Sequence, residues 1–344
     1  MKKKGILGCL VLSGVLGLVS PSALQELQWQ EYMSYDVPFV PTPPEVVEEM
    51  LRLVDIKSGD LLYDLGCGDG RIVIAAAKKY GIRAIGIDID PVLITESIEN
   101  AAKEGVTDKV RFIQQNLFEA DFKDATIVTM YLLKSVNLRL RPKLLADLKP
   151  GTRLVSHNFD MGEWRPDKAR VITTTYDGQR DVYFWVVPAN LTGRWEWDLA
   201  DGSRNRRYTL QTNQKFQELS ASGTAGERPL TIKDVELVGD EMKFRLDAEA
   251  DGKMVSFLYW GKVQGDTITG TVIPANNPKA IAVKWRAFRD PKTVEPLDKV
   301  PGTRPAQSGA KAWEDTARST TRPKWSIGSS YVIEYSEDWR SDRS

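Results

Sequence analysis

Residues 61–70 read Leu-Leu-Tyr-Asp-Leu-Gly-Cys-Gly-Asp-Gly, an apolar run that carries one carboxylate, Asp64, and breaks into glycines at 66, 68 and 70. Glycine puts no Cβ between the main chain and a ligand, so a glycine turn beside a strand carboxylate is a setting for a nucleotide-like cofactor. A second carboxylate, Asp88, closes the next apolar run (residues 83–88) about 20 residues beyond the turn, where it can accept both hydroxyls of a ribose. Its neighbour Asp90 stands directly before Pro91 and an apolar-periodic stretch, the pattern of a helix N-cap followed by proline at the first helical position. Asp88 is therefore assigned to the ribose and Asp90 to the helix.

These residues need a βαβ unit to position them: strand, glycine turn, helix over 71–80, strand, acid. A dinucleotide fingerprint requires a third glycine at position 71, which is Arg71, and that reading weakens. Further strands are expected at 109–115, at 125–133 (apolar enough to be covered on both faces) and at 152–157. A helix over about residues 138–148 ends at Lys149-Pro150-Gly151. Two later strands, 169–176 and 181–187, join through Asp177-Gly178, a hairpin signal. Upstream, Thr42 and Glu45 form a capping box for a helix that has Pro43 in its first turn.

The pattern Asp64-x-Gly66-x-Gly68-x-Gly70 resembles motif I of the seven-strand S-adenosylmethionine (SAM) methyltransferases. The resemblance implies an α/β fold with a Rossmann-like, mostly parallel seven-strand sheet closed by an antiparallel hairpin. It also implies that Gly66 and Gly68 let backbone pass the methionine part of the cofactor while Asp64 holds its amino group. Asn116, between the third and fourth strands, occupies the position that commonly faces the adenine, although an aspartate is usual there; the alternative is a loop asparagine satisfied by backbone. Pro38-Phe-Val-Pro-Thr-Pro43 followed by Asp64-Leu-Gly-Cys-Gly-Asp-Gly-Arg71 narrows the likeness, over about residues 36–160, to the lysine methyltransferases of the ATP synthase c-subunit and the adenine nucleotide translocase and their bacterial relatives. Lys134 departs from that pattern, in which proline is expected.

Methyl transfer from a sulfonium demands alignment and water exclusion more than acid–base machinery. An amine acceptor must still lose a proton, and an unperturbed lysine titrates near 10.4. His157, the chain's single histidine, ends the fifth strand and Tyr131 ends the fourth, so both are candidate acceptor-site residues, His157 either as proton acceptor or as a loop-bonded strand end. The segment Met130-Tyr-Leu-Leu-Lys-Ser135 lacks the Asp/Asn-Pro-Pro-Tyr of enzymes that methylate exocyclic base amines. The two cysteines, Cys9 and Cys67, offer no catalytic thiol for attack on a pyrimidine. Lysine plus arginine balance aspartate plus glutamate at 47 each, with pI near 6.7, so no global basic footprint for nucleic acid exists, and the residue pattern calls for no metal.

Residues 1–22 carry a basic start, an apolar run and a small-residue end, either a signal peptide or a membrane anchor. This places the protein at the membrane or exported to the envelope, with the side of the membrane open. Residues 36–188 form the expected methyltransferase domain. Residues 191–290 alternate in short strands with regular turns, an all-β barrel or sandwich accessory domain. Within it, Gly193-Arg-Trp195 and Trp285-Arg286 weakly resemble the Gly-x-Trp and late arginine of lipocalin-like barrels. Residues 291–344 read as a mostly disordered tail in which 331–335 could add a docking strand. The leading reading is a SAM-dependent methyltransferase acting on a protein lysine, the protein being of the membrane or not. The alternatives are a small-molecule N- or O-methyltransferase, a silent SAM-binding module, and an envelope protein whose β-domain binds a ligand.

Overall fold

Strands too apolar to face water on either side make the first sheet. In this computed structural model, which describes residues 37–298 apart from 177, 202, 203, 251, 252 and 278, β1 (Leu61–Leu65), β2 (Arg83–Asp88), β4 (Ile127–Met130) and β5 (Arg153–His157) are buried over nearly their whole length. With β3 (Val110–Gln114), β6 (Lys168–Thr174) and β7 (Gly178–Val186) they form seven strands in the order β3-β2-β1-β4-β5-β7-β6, parallel except for β7, which runs antiparallel to both neighbours. The chain winds one way from β1 to β2 and β3 and the other way to β4 and β5. The C-terminal ends of β1 and β4 therefore flank the switch point, where an open α/β sheet receives its ligand.

Among the described residues four helices cover this sheet: α1 (Pro44–Leu53), α2 (Arg71–Tyr80), α3 (Pro91–Glu104) and α4 (Lys134–Asp147). Helix α3 begins as the spacing predicts, with the Asp90 carboxylate accepting from the Val92 N–H at 2.8 Å. Helix α1 corrects the capping box. Its N-cap is Pro43, one residue later than expected, and no side chain caps it; the Thr42 hydroxyl lies instead 3.3 Å from His157 Nδ1, and Glu45 accepts from Thr175 on the β6–β7 turn. Helix α4 starts at Lys134, four residues ahead of the expected 138. Its N-cap, Leu133, has no capping side chain, and its only proline, Pro142, lies in the helix interior, so the usual start signals are missing at Lys134.

From Gly193 to Arg289 eight strands close into an antiparallel barrel: β8 (Gly193–Asp201), β9 (Arg204–Lys215), β10 (Glu218–Ala225), β11 (Arg228–Val238), β12 (Glu241–Ala250), β13 (Lys253–Gln264), β14 (Thr267–Pro274) and β15 (Val283–Arg289). Closure removes the sheet edges, and inward-facing Trp195, Trp197, Tyr208, Phe244, Tyr259 and Trp285 fill the interior. Gly261 has no side chain because a Cβ there would come within 3.0 Å of the Trp285 ring. The late arginine is Arg289 and not Arg286: its guanidinium lies 4.8 Å over the Trp195 ring and donates to the carbonyls of Asn190 and Thr192. Strand alternation turns Trp285 inward and Arg286 outward, where it covers Phe288.

The start of the stretch read as a tail carries a 3-10 turn at Pro291–Thr293 and reaches Asp298, which pairs with Arg141 of α4. The leader, Cys9, residues 299–344 and the strand expected at 331–335 lie outside the described residues. Among the described residues no helix is long and apolar enough to cross a membrane, and no group of three or more acidic, histidine or cysteine side chains could hold a metal ion.

Candidate active site

The glycine turn is fixed before any ligand arrives. The N–H groups of Gly66 and Cys67 both donate to the Ile87 carbonyl, the Gly68 N–H donates to Asp88 Oδ2 at 2.8 Å, and α3 reaches over the loop from Ser97 and Asn100 to the carbonyls of Gly68 and Asp69. Gly66, Gly68 and Gly70 have φ of 78°, 53° and 80°, in the left-handed region that glycine adopts without strain. At Gly66 a Cβ would also strike Leu132, so that glycine serves the fold as well as the approach of a ligand. Cys67 is buried and its thiol is pushed well up by burial, with Asp88 and Asp64 adding to the effect, so it stays protonated against the underside of Gly86.

Asp64 and Asp88 stand on adjacent parallel strands and face this turn, 2 % and 9 % exposed. The Asp64 carboxylate accepts from Thr129 Oγ1 at 2.6 Å across the β1–β4 register pair. Burial pushes its pKa up to about 7, the Thr129 bond opposes this, and the charges of Asp88 and Asp69 add to it. Burial also raises Asp88, against the opposing bonds from the Asp90 and Gly68 N–H groups. Among the described residues no ion pair neutralises Asp64. A buried carboxylate pair short of positive charge fits a ligand that brings an ammonium and a sulfonium, with Asp64 for the amino group and Asp88 keeping lone pairs for a ribose. Asn116 stands in the loop after β3, its side-chain carbonyl already accepting from the Phe118 N–H at 3.0 Å; toward an adenine it offers its amide N–H groups as donors.

At the other end of the same edge, Tyr131 follows β4 and His157 ends β5, with ring centroids 3.8 Å apart. The structure thus brings these two candidates together. His157 is wholly buried, its Nε2 has no hydrogen-bond partner among the described residues, and burial, with the nearby Arg180 charge, lowers its pKa to about 4. It is a neutral hydrogen-bonding group at physiological pH and a poor proton store. The alternative of a strand end bonded to its own loop does not describe the ring: Nδ1 meets Thr42, 115 residues earlier in the chain.

The chain matches the ANTKMT methyltransferase domain family over residues 64–168. It is 45% identical over 160 residues to the "Protein-lysine N-methyltransferase" of Saccharolobus islandicus, a match covering 45% of this chain and 98% of that protein. The chain belongs to this methyltransferase family. Membership makes SAM its cofactor, in agreement with the buried, charge-deficient carboxylate pair of Asp64 and Asp88. The "Adenine nucleotide translocase lysine N-methyltransferase" of Mus musculus is 35% identical over 131 residues, or 38% of this chain and 56% of that enzyme, so the match spans about half the length of the mouse relative. A solved RNA methyltransferase from Salinibacter ruber, bound to S-adenosyl-L-homocysteine, shares 52% identity over 44% of this chain and 96% of its own, with a TM-score of 0.41.

Four residues of the methyltransferase site escape sequence reasoning. Thr129 bonds Asp64, Thr42 meets His157, Arg71 donates to the Thr42 carbonyl at 2.9 Å while paired with Asp69, and Phe159 stacks on Tyr131 with centroids 6.2 Å apart. Arg71 carried a signal, as the charged residue standing where a dinucleotide fold has glycine. Thr42 looked like an ordinary cap.

Proposed function

We propose that this methyltransferase methylates the side-chain amine of a protein lysine. The observation that carries the reading is the match that fills almost the whole Saccharolobus islandicus protein-lysine N-methyltransferase, and the acceptor end is chemically suited to it. SAM supplies, when bound, a methyl group activated on a sulfonium. Tyr131 and Phe159 offer aromatic faces that accommodate an aliphatic amine and, once methylated, its cationic form. Removal from water beside these rings lowers the pKa of the amine, which releases its proton to solvent. His157 accepts a hydrogen bond through Nε2 and so orients the nitrogen lone pair. Purified protein incubated with methyl-labelled SAM and fractionated lysate or membranes is expected to label a few protein bands. The label should survive mild base that cleaves carboxyl esters and map to lysine by mass spectrometry. Label confined to RNA or to low-molecular-weight metabolites overturns the lysine reading and leaves the cofactor site intact.

Thr42 ties the His157 ring to the glycine loop, since its carbonyl is held by Arg71 and its hydroxyl meets Nδ1. Replacing Thr42 by valine keeps the volume and deletes the hydroxyl. Turnover is expected to fall about five- to tenfold, the equivalent of one lost hydrogen bond, with SAM affinity changed by less than about twofold. Thr42→Ser should retain activity. Equal losses in both variants, measured by steady-state methyl transfer and calorimetry, would remove the hydroxyl from the account.

A further inference from the structure

Between β5 and β6 the chain runs through residues 158–167, and this loop carries Phe159, one wall of the acceptor end. The near half of the loop is held from within the methyltransferase domain: Ser156 Oγ and Asn137 Nδ2 donate to the Phe159 carbonyl at 2.7 and 3.1 Å, and Arg141 Nη1 donates to the Met161 carbonyl at 2.7 Å. The far half is held from both sides: on β7, Trp185 Nε1 donates to the Trp164 carbonyl at 2.9 Å and the Phe184 carbonyl accepts from the Asp167 N–H at 2.8 Å, and the barrel grips the same stretch. Trp164 is fully buried and stacks on Phe216, centroids 5.9 Å apart and planes 16° from parallel. Beside that stack, Gln217 Nε2 donates to the Arg165 carbonyl at 2.6 Å.

Phe216 sits at the tip of the β9–β10 hairpin with φ of 55°, and it is 3 % exposed. A large side chain in the left-handed region is strained, and glycine or asparagine would make the same turn more cheaply. The ring compensates through its contacts with Trp164 and with the Arg141 guanidinium, 5.1 Å away. Arg141 is also the bidentate partner of Asp298, at 2.7 and 3.0 Å, in the segment that leaves the barrel. A barrel hairpin and the barrel's exit segment thus converge on the arginine that holds Met161.

We propose that the barrel is a built-in part of the acceptor site: the hairpin tip at Phe216 positions loop 158–165, and through Phe159 it sets the Tyr131 face without touching the cofactor. Phe216 is then a positioning residue. Only the transfer measurement below rests on the lysine reading.

The test compares full-length wild type with Phe216→Ala, Phe216→Tyr and Asp298→Ala. In Phe216→Ala, amide hydrogen exchange in peptides covering 158–165 is expected to quicken about tenfold, while barrel strands and the glycine loop stay protected. SAM affinity by calorimetry should remain within about twofold, and KM for poly-L-lysine should rise about tenfold with KM for SAM unmoved. Phe216→Tyr keeps the ring and should restore each value. Asp298→Ala, outside the barrel strands, should shift the loop in the same direction and decides the matter if Phe216→Ala loses the barrel fold. Unchanged exchange in 158–165 overturns the proposal, as does loss of SAM binding together with loop protection, which would make the hairpin a support of the whole domain. Wild type that leaves poly-L-lysine unmodified counts against the lysine acceptor, while the exchange result still decides the role of the barrel.

Discussion

Replacing Asp88 by alanine is expected to weaken SAM binding by about 3–6 kcal/mol, because two charge-assisted hydrogen bonds to a ribose are each worth about 1.5–3 kcal/mol in a site shielded from water. The same carboxylate accepts from the N–H groups of Gly68 and Asp90, at 2.8 and 3.0 Å, so its loss also frees the glycine turn that the cofactor must meet. Asp90→Ala is the control. It removes the cap on α3, at about 1 kcal/mol of stability, and should leave cofactor affinity near that of the wild type. Calorimetry that finds the cofactor lost in Asp90→Ala and kept in Asp88→Ala would reverse the two assignments.

The second large effect is one of pH. With its pKa pushed up to about 7, Asp64 is protonated over much of the mildly acidic range, and only its ionised form can pair with an ammonium. The apparent SAM affinity should therefore fall about tenfold per unit as pH drops below 7, with proton release on binding near neutrality. In stability the sign is the unusual one for a carboxylate. The folded chain binds the Asp64 proton more tightly than the unfolded chain, so this contribution is present at low pH and is lost as pH rises through about 7. His157, lowered to about 4, acts oppositely: its contribution is present above about 6.5 and is lost as pH falls through about 4. Melting curves of the wild type mix the two. The clean measurement is the pH dependence of calorimetric affinity in wild type against Asp64→Asn, and an equal slope in both would locate the titrating group elsewhere.

Local rules carried a good part of this chain. Apolar runs too continuous for a half-exposed strand gave the parallel strands, Asp90-Pro91 gave the start of α3, and the glycine spacing separated one cofactor class from another, because each depends on a few neighbouring residues and the backbone geometry they allow. Even the regular turn spacing after residue 190 pointed to a barrel or sandwich. Closure was beyond it, since the pairing of β8 with β15 joins residues almost a hundred apart and no local pattern encodes that register.

The acceptor end depended on tertiary structure for the same reason. Thr42 satisfies every local criterion for a helix cap, yet the intervening Pro43 moves the cap forward and the fold places the hydroxyl against His157. Phe159 is an unremarked loop residue until the β4 and β5 ends bring its ring to Tyr131. Phe216 looks like an ordinary hairpin aromatic until Trp164 stacks on it across the domain boundary. The sequence by itself determined most of the strands of the first sheet and which cofactor class the chain receives, and it singled out the two carboxylates beside the glycine turn, because those are short-range questions of backbone freedom and charge. Only the tertiary structure decided what surrounds Tyr131 and His157, because their neighbours come from the start of α1, two strand ends and a loop whose contacts are set by packing and not by proximity along the chain.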